Sequence, residues 1–482
     1  MSSELKVVVF IGCSLFRHRK GALRMPVSAL VWLMIVLCNL LTRTSDAMTH
    51  PSTLVIEHCS VFNSETGQML PNQTVVVRGE QIVSVIPAER RTRIPRGAVR
   101  IDGRGKYLLP GFIDAHVHLV HVLDFAHVTG DEMLPLYLAA GVTSVRSTGD
   151  EIVAATLVAH FAEAHSDTSP RVFTCSPLLD AEPLIHHDVG RAVTAPSQVP
   201  ALLDDLLHWK IRTVKIYAGT GRKVGKSIID EAHRRGLFVT GHLGQYPAQQ
   251  AVDDGIDGLE HIWSVFNYVI PADVVNLPGH RGNLDLSNPL CESLISKLVQ
   301  HKTYVDPTLV VFRNMILLPD APEVRDSPDL ALVPQRLRAF WPLYLKQTGC
   351  PQGGSLEERH REFAKYQELT GKLYRAGVPI LVGTDSPEPQ VIPGYSLHQE
   401  LALLVGSGIP PSAVLQAVTL RNATVLREGS RLGSIAVGKL ADMVLLTANP
   451  LEDIRNTRAI QLVIRGGKVC YPFELLKRIP KK

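Results

Sequence analysis

The 482-residue sequence has no Cys-x-x-Cys pair and, outside the termini, no long run of basic residues. Without the first, cysteine-rich zinc sites and dithiol redox chemistry lack support. Without the second, and with a net charge of only +4, nucleic acid is not an expected partner. No internal repeat with a period of about 20–50 residues is present, which argues against a solenoid or propeller. Nor is there a clean membrane span. The apolar run 27-VSALVWLMIVLCNLL-41 is shorter than the roughly 20 residues a spanning helix needs.

That run has a different signature. Arg17, Arg19, Lys20 and Arg24 precede it, and Ser45 and Ala47 follow in 42-TRTSDAM-48. A basic region, a short apolar core and a small-residue cleavage site read as a secretory signal peptide over residues 1–47. An uncleaved signal anchor is the alternative. Either places the protein outside the cytoplasm, secreted or periplasmic, with membrane contact confined to residues 27–41. Cleavage near Ala47 leaves five cysteines, Cys59, Cys175, Cys291, Cys350 and Cys470. One or two disulfides suit an oxidising compartment, but the spacing selects no pairs. Asn72-Gln-Thr74 and Asn422-Ala-Thr424 are glycan acceptors only in a eukaryotic host.

A chain this long exceeds one compact core, so a large and a smaller domain are expected. Residues 53–87 alternate apolar and polar positions between Gly, Asn and Pro turns, as strands do, and 433–450 with 460–469 repeat that texture. Two β-rich ends predict one small β-sandwich assembled from residues 48–107 and 426–482. Between them, strand-length apolar runs fall at 111–118, 141–147, 171–176, 212–218, 236–242, 256–262, 303–309 and 378–386. Amphipathic segments such as 226-KSIIDEAHRR-235 intervene. Eight strands with helices between them predict an α/β fold, a (β/α)8 TIM-like barrel over residues 108–425. The stretches 265–300 and 310–370 are expected as loops or helices over its mouth.

Side chains alternate along a strand. In 111-GFIDAHVH-118, Asp114, His116 and His118 therefore share one face, and neutral imidazoles near a strand end suit a divalent metal. In 213-TVKIY-217, Thr213, Lys215 and Tyr217 point inward. An inward lysine must be paired with a carboxylate or chemically changed. His242 ends one strand in 239-VTGHLG-244. His261 ends the next in 258-GLEHIW-263, with Glu260 on the opposite face. Asp385 ends the last, sharing a face with Leu381 and Gly383. Singly, each has a structural alternative: a core histidine for His242, a helix N-cap for Asp385. Jointly, they place four histidines, a lysine and an aspartate at the C-terminal ends of five strands, the rim where barrel enzymes carry their sites.

These motifs resemble the metal-dependent amidohydrolase superfamily, in its imidazolonepropionase- and prolidase-like branch. The likeness runs from about residue 53 to the C-terminus through 110-PGFIDAHVH-118, 141-GVTSVR-146, 383-GTDSP-387, 398-HQELALLVGSGIPPSAVLQAVTLRNAT-424 and 432-LGSIAVGKLADMVLL-446. The resemblance implies that His116, His118 and Asp385 hold one divalent metal, and His242 and His261 a second, with zinc the expected ion. Carboxylated Lys215 would bridge the two. Two departures stand out. Ser147 follows Arg146 where relatives carry an acid, leaving the partner of Arg146 open, and 183-PLIHHDVG-190 lacks a glycine-rich histidine loop. His186, His187, Arg146 and Tyr217 are candidate substrate contacts.

The implied chemistry is hydrolysis of a C–N amide bond in a dipeptide or cyclic amide. Metals that share a water lower its pKa enough to supply hydroxide near neutral pH, and Asp385 is placed to shuttle the proton. A single-metal deaminase is the enzymatic alternative, but Gln245 stands where an acid is wanted and Lys215 has no task. A non-catalytic binding relative would typically lose ligands, and all six candidate positions are present. The partner is a small molecule or dipeptide, and a homo-oligomer is compatible with this reading.

Overall fold

The computed structural model describes residues 53–479 apart from 91–93, 122–125, 278 and 351–352. The segment 1–47, read as a signal peptide or anchor, lies outside the described residues. Among them, no helix is long and apolar enough to cross a membrane.

Five strands open the described chain: β1 (Thr53–Asn63), β2 (Gln68–Arg78), β3 (Gln81–Pro87), β4 (Val99–Asp102) and β5 (Tyr107–Pro110). Next come β6 (Phe112–Val117), β7 (Val142–Ser147), β8 (Arg171–Thr174), β9 (Leu178–Asp180), β10 (Gly190–Ala192), β11 (Thr213–Ile216), β12 (Phe238–Gly241), β13 (Gly258–Glu260) and β14 (Tyr304–Asp306). The last are β15 (Met443–Leu446), β16 (Ile460–Arg465) and β17 (Lys468–Cys470).

The two chain ends join in one eight-stranded sheet, ordered β17-β16-β15-β5-β1-β2-β3 with β4 on β1. In its hydrogen bonding the expected sandwich is thus one sheet rather than two. Strand alternation lets this sheet bury both faces. Leu108, Met443, Leu445, Leu462 and Ile464 turn toward its own core with Leu54 and Ile56. Leu109, Val444, Leu446 and Val463 enter the main core. Fully burying such a side chain contributes about 1.5–3 kcal/mol, so a one-residue slip in β15 would be strongly disfavoured.

In the middle of the chain the strands are parallel and alternate with helices. They form one sheet ordered β10-β9-β11-β12-β13-β14 and another ordered β6-β7-β8. Their near-continuous apolar runs follow from burial on both faces. The helix Arg222–Arg234 buries Gly225, Ile228, Ile229 and Ala232, the stripe that its spacing predicts. Strand β9 was not expected. It pairs with β11 through Lys215 and Ile216.

The eighth expected strand, 378–386, is not a regular ladder strand. Single bridges tie Ile380 to Val305 and Ser386 to Val117. Ala115 N donates to Val382 O at 3.0 Å, and Leu381 N donates to Val305 O at 2.9 Å. The extended backbone ends at Asp385, whose φ of +65° lies in the left-handed region where the ladder cannot continue. Asn422 stitches this segment to β6. Its Nδ2 donates to Ile113 O at 2.7 Å and to Val382 O at 2.8 Å.

Within 310–370, helices run over Gln335–Thr348 and Leu356–Ala376. The second starts in a capping box. Glu358 N donates to Ser355 Oγ at 3.2 Å and Ser355 N to Glu358 Oε2 at 2.7 Å, which satisfies two otherwise unpaired amides. It stops at Gly377 (φ +94°), a left-handed cap that glycine adopts without strain. All five described cysteines are free thiols, so the disulfides compatible with export do not form among the described residues.

Candidate active site

Strand parity carries His116 and His118 to the same side of β6. Their Nε2 atoms lie 3.3 and 3.0 Å from Asp385 Oδ1. Asp114, lower on the same face, serves as an anchor. Its carboxylate accepts Thr384 N at 3.0 Å and Thr384 Oγ1 at 2.7 Å, and full burial pushes its carboxyl up to about 7. Asp385 N donates to His116 O at 2.8 Å. Thus β6 positions Asp385 from both sides of the turn.

Lys215 projects inward from β11, and its Nζ is 3.3 Å from His116 Nε2. Among the described residues it has no carboxylate within ion-pair distance. Burial, only partly offset by Glu260 and Asp385, lowers its pKa and favours the neutral amine. The His261 ring centroid lies 4.7 Å from that of His116 and 4.7 Å from that of His242. Its Nδ1 is 2.7 Å from Thr308 Oγ1. His261 arrives at the site through a φ of +67°, so β13 ends one residue before it.

Burial lowers the pKa of His116, His242 and His261, and at His116 and His242 the neighbouring Lys215 adds to the effect. His116 falls to about 4 and His242 to about 3, and His261 lies well below the ordinary histidine range. Burial opposes charge on Asp385 too, but the surrounding His116, His261 and His118 outweigh it and hold that carboxyl well below the usual range. Neutral imidazoles with free lone pairs beside a carboxylate are the donor set a borderline-soft divalent cation requires.

Two groups of three donors converge with ligand atoms within 4.8 Å of one another: His116 with His118 and Asp385, and His116 with Glu260 and Asp306. The first fits a metal. Beside it stand the His242 and His261 rings and the Lys215 amine. The amine now pointing at the His116 lone pair marks a contact that an ion would replace. The second group contains Glu260, whose charge is already met by Arg146, so it reads as support for His116 rather than as an ion site.

Here the structure corrects two expectations. Arg146 does not reach the mouth to meet substrate. It is 1% exposed, donates from Nη2 to Glu260 Oε1 at 2.7 Å and from Nε to Ala115 O at 2.5 Å. Its missing partner is Glu260, which points into the interior, not away from it. The side chain at 147 could not serve, because Ser147 donates instead to Asp150, which also accepts Leu119 N at 3.0 Å and His121 N at 3.2 Å.

Of the loop histidines, His186 comes to the site and His187 stays exposed. His186 Nε2 lies 3.0 Å from the Tyr217 hydroxyl, and the Tyr217 ring is 4.9 Å from His242. Sequence reasoning missed three residues. Asp306 ends β14 fully buried, with no hydrogen-bond partner on either oxygen among the described residues and Oδ2 3.8 Å from His116 Nδ1. His121 lies 3.5 Å from Glu388, its ring 5.6 Å from His118 and 5.2 Å from His186. His121 was visible as the third histidine of 116-HVHLVH-121 and Glu388 as the acid after 383-GTDSP-387. An apolar hollow lined by Leu337, Phe340, Trp341 and Tyr344 adjoins that pair.

Residues 107–470 match the amidohydrolase family. The chain belongs to that family, and it is a metal-dependent amidohydrolase. It is 21% identical over 427 residues to an imidazolonepropionase of Alkaliphilus metalliredigens, covering 82% of this chain and 89% of the other. An adenine deaminase of Rubrobacter xylanophilus is 37% identical over 95 residues, which span 19% of this chain and only 15% of that protein. Among solved structures, a candidate prolidase from Bifidobacterium longum superposes with a TM-score of 0.66 at 25% identity, covering 89% and 99% of the two chains. A Xaa-Pro dipeptidase with bound methionine gives a TM-score of 0.64 at 20% identity, covering 87% and 100%. The likeness carries a TIM-barrel-like α/β fold and C–N hydrolase chemistry.

Proposed function

We propose that the protein hydrolyses an amide bond of a small substrate, a dipeptide or cyclic amide, with two divalent ions, zinc by preference. The observation that carries this reading is the convergence of four imidazoles, one amine and Asp385 from five strand ends. His116, His118 and Asp385 would hold one ion, and His242 and His261 the other. Lys215, as its carbamate, would bridge them. A buried neutral amine can take up carbon dioxide and release one proton, leaving a carboxylate where the lysine has no carboxylate within ion-pair distance among the described residues.

Such ions supply Lewis-acid polarisation and lower the pKa of bound water. The protein's own groups do the rest. Asp385, ionised and turned into the site, accepts the proton of the attacking water and returns it to the leaving nitrogen. Neutral His186 and the Tyr217 hydroxyl are hydrogen-bonded to each other at the rim, which leaves the pair one donor for a substrate carboxylate or a developing oxyanion. Burial of Asp385 and His116 keeps bulk water from screening these interactions.

The hydrogen bonds from Ala115 N to Val382 O and from Ser176 N to Thr213 O at 2.9 Å support closure of β6, β7, β8, β11, β12, β13 and β14 with segment 378–386 into one eight-stranded barrel, with β9 and β10 outside the eight. We keep residues 48–107 with 426–482 as one composite unit around 108–425, and export through residues 1–47. The single-metal deaminase is the second reading, favoured by the short adenine deaminase match. One experiment decides. The purified protein is assayed for metal, then screened against dipeptides, lactams and adenine before and after chelation. Hydrolysis of an amide that is lost on chelation and restored by zinc or manganese supports the proposal. Full activity in excess chelator, with no metal present, overturns it.

A further inference from the structure

Beneath the candidate metal ligands lies a fully buried polar cluster that the proposed mechanism does not use. Glu260 sits at its centre. One oxygen, Oε1, accepts two donors: Arg146 Nη2 at 2.7 Å and Thr240 Oγ1 at 2.7 Å. The other, Oε2, is 2.9 Å from His116 Nδ1. An ionised carboxylate can only accept, so this contact requires the proton of His116 on Nδ1. The lone pair is then left on Nε2, 3.3 Å from Asp385 Oδ1, on the side where a metal would sit. Gly383 makes room for the arrangement, since any side chain there would overlap both Asp306 and His116.

We propose that Glu260 is a positioning residue that selects the metal-binding tautomer of His116, with Arg146 holding its other oxygen. This rests on the two-metal reading above. Carboxylate partners on a ligating histidine are worth about 10–100-fold in metal affinity or activity.

Substitution Glu260→Gln makes the proposal specific. Two donors converge on one side of the side chain, so the amide turns its oxygen to Arg146 and Thr240. Its NH2 then faces His116 Nδ1. A donor there forces Nδ1 to accept and moves the proton to Nε2, where it blocks the ligand position. Thr240→Val is the control, because it removes a partner of Oε1 while leaving the Oε2 contact intact.

The test uses the full chain with two readouts. Zinc affinity is measured by competition with a chromophoric chelator. The tautomer is read in metal-free protein from two-bond 15N–1H spectra of labelled histidine. The wild type is expected to show Nδ1–H at His116. Glu260→Gln should show Nε2–H and about a 10–100-fold weaker zinc site, and Thr240→Val should stay within about threefold of wild type. Should Glu260→Gln not fold, Arg146→Met with Glu260→Leu removes both charges together, and the same loss of affinity is expected. A folded Glu260→Gln protein, or that double variant, that binds zinc as wild type does overturns the proposal. Wild-type protein that binds no zinc overturns the metal reading instead.

Discussion

Arg146 Nη2 lies 2.7 Å from Glu260 Oε1, and both side chains are 1% exposed. A buried pair of this kind adds little net stability over a well-packed apolar pair, but removing one member leaves an uncompensated charge. Arg146→Met alone should therefore destabilise the protein by about 3–5 kcal/mol. The double change with Glu260→Leu should recover most of that loss. Urea unfolding of the two single variants and the double variant measures the coupling, and independent, additive losses would contradict it.

Asp385→Asn should lower kcat by about 100- to 10,000-fold, the range of a general acid–base group. The neutral amide keeps the size of the side chain but cannot accept a proton. Steady-state kinetics on whichever amide the screen identifies gives the answer. A loss smaller than about tenfold would remove the proton-shuttle role.

Lys215→Ala should reduce bound metal from two equivalents per chain, as counted by elemental analysis. Protein loaded with metal under 13C-labelled bicarbonate should show a carbamate carbon resonance that this variant lacks. Two retained equivalents, or no such resonance in wild type, would dismiss the bridging lysine.

His398 offers a pH test away from the metal cavity. Burial and the nearby Arg458 lower it to about 3, and its Nδ1 lies 2.9 Å from Thr457 Oγ1. Its folded pKa thus lies below the unfolded value of about 6.5. Above pH 6.5 neither state binds the proton, and the full stability is present. As pH falls from 6.5 toward 3, the unfolded chain takes up a proton that the folded chain refuses, so stability is lost. Each such group contributes up to about 1.4 kcal/mol per pH unit in that window. In chelator, His398→Gln should flatten the stability–pH slope by up to that amount. An unchanged slope between pH 6 and 4 would rule this out.

Produced in a glycosylating host, the protein should carry glycan at Asn72 but not at Asn422. Asn422 is fully buried, and its amide is committed to two backbone carbonyls. Peptide mapping distinguishes the two sequons. Asn422→Ala takes the side-chain donor from Ile113 O and the acceptor from Val382 N, and should lower stability by about 1–3 kcal/mol for each group left unpaired.

What the sequence made legible were features of local period. Alternation in 111-GFIDAHVH-118 put His116 and His118 on one face, and the spacing of Ile228, Ile229 and Ala232 marked a buried helix stripe. What it hid were departures from period and partners far along the chain. His261 and Asp385 take positive φ, so strand parity stops one residue short of each. That break turned Glu260 inward, against the expectation of an outward face. Arg146 found its acid 114 positions away, a pairing no local spacing encodes. Asp306 is recognisable only once β14 has a place in the sheet.

The bond between β5 and β15 has a kinetic consequence. Strand β5 leads through Gly111 into β6, and it is held by residues 443–446. A growing chain therefore carries both site histidines of β6 long before the strand that braces them exists. The site cannot settle until synthesis has passed Leu446, and contacts this distant in sequence form slowly. Activity should consequently appear late and all at once, as a property of the finished chain rather than of any fragment that already contains the ligands.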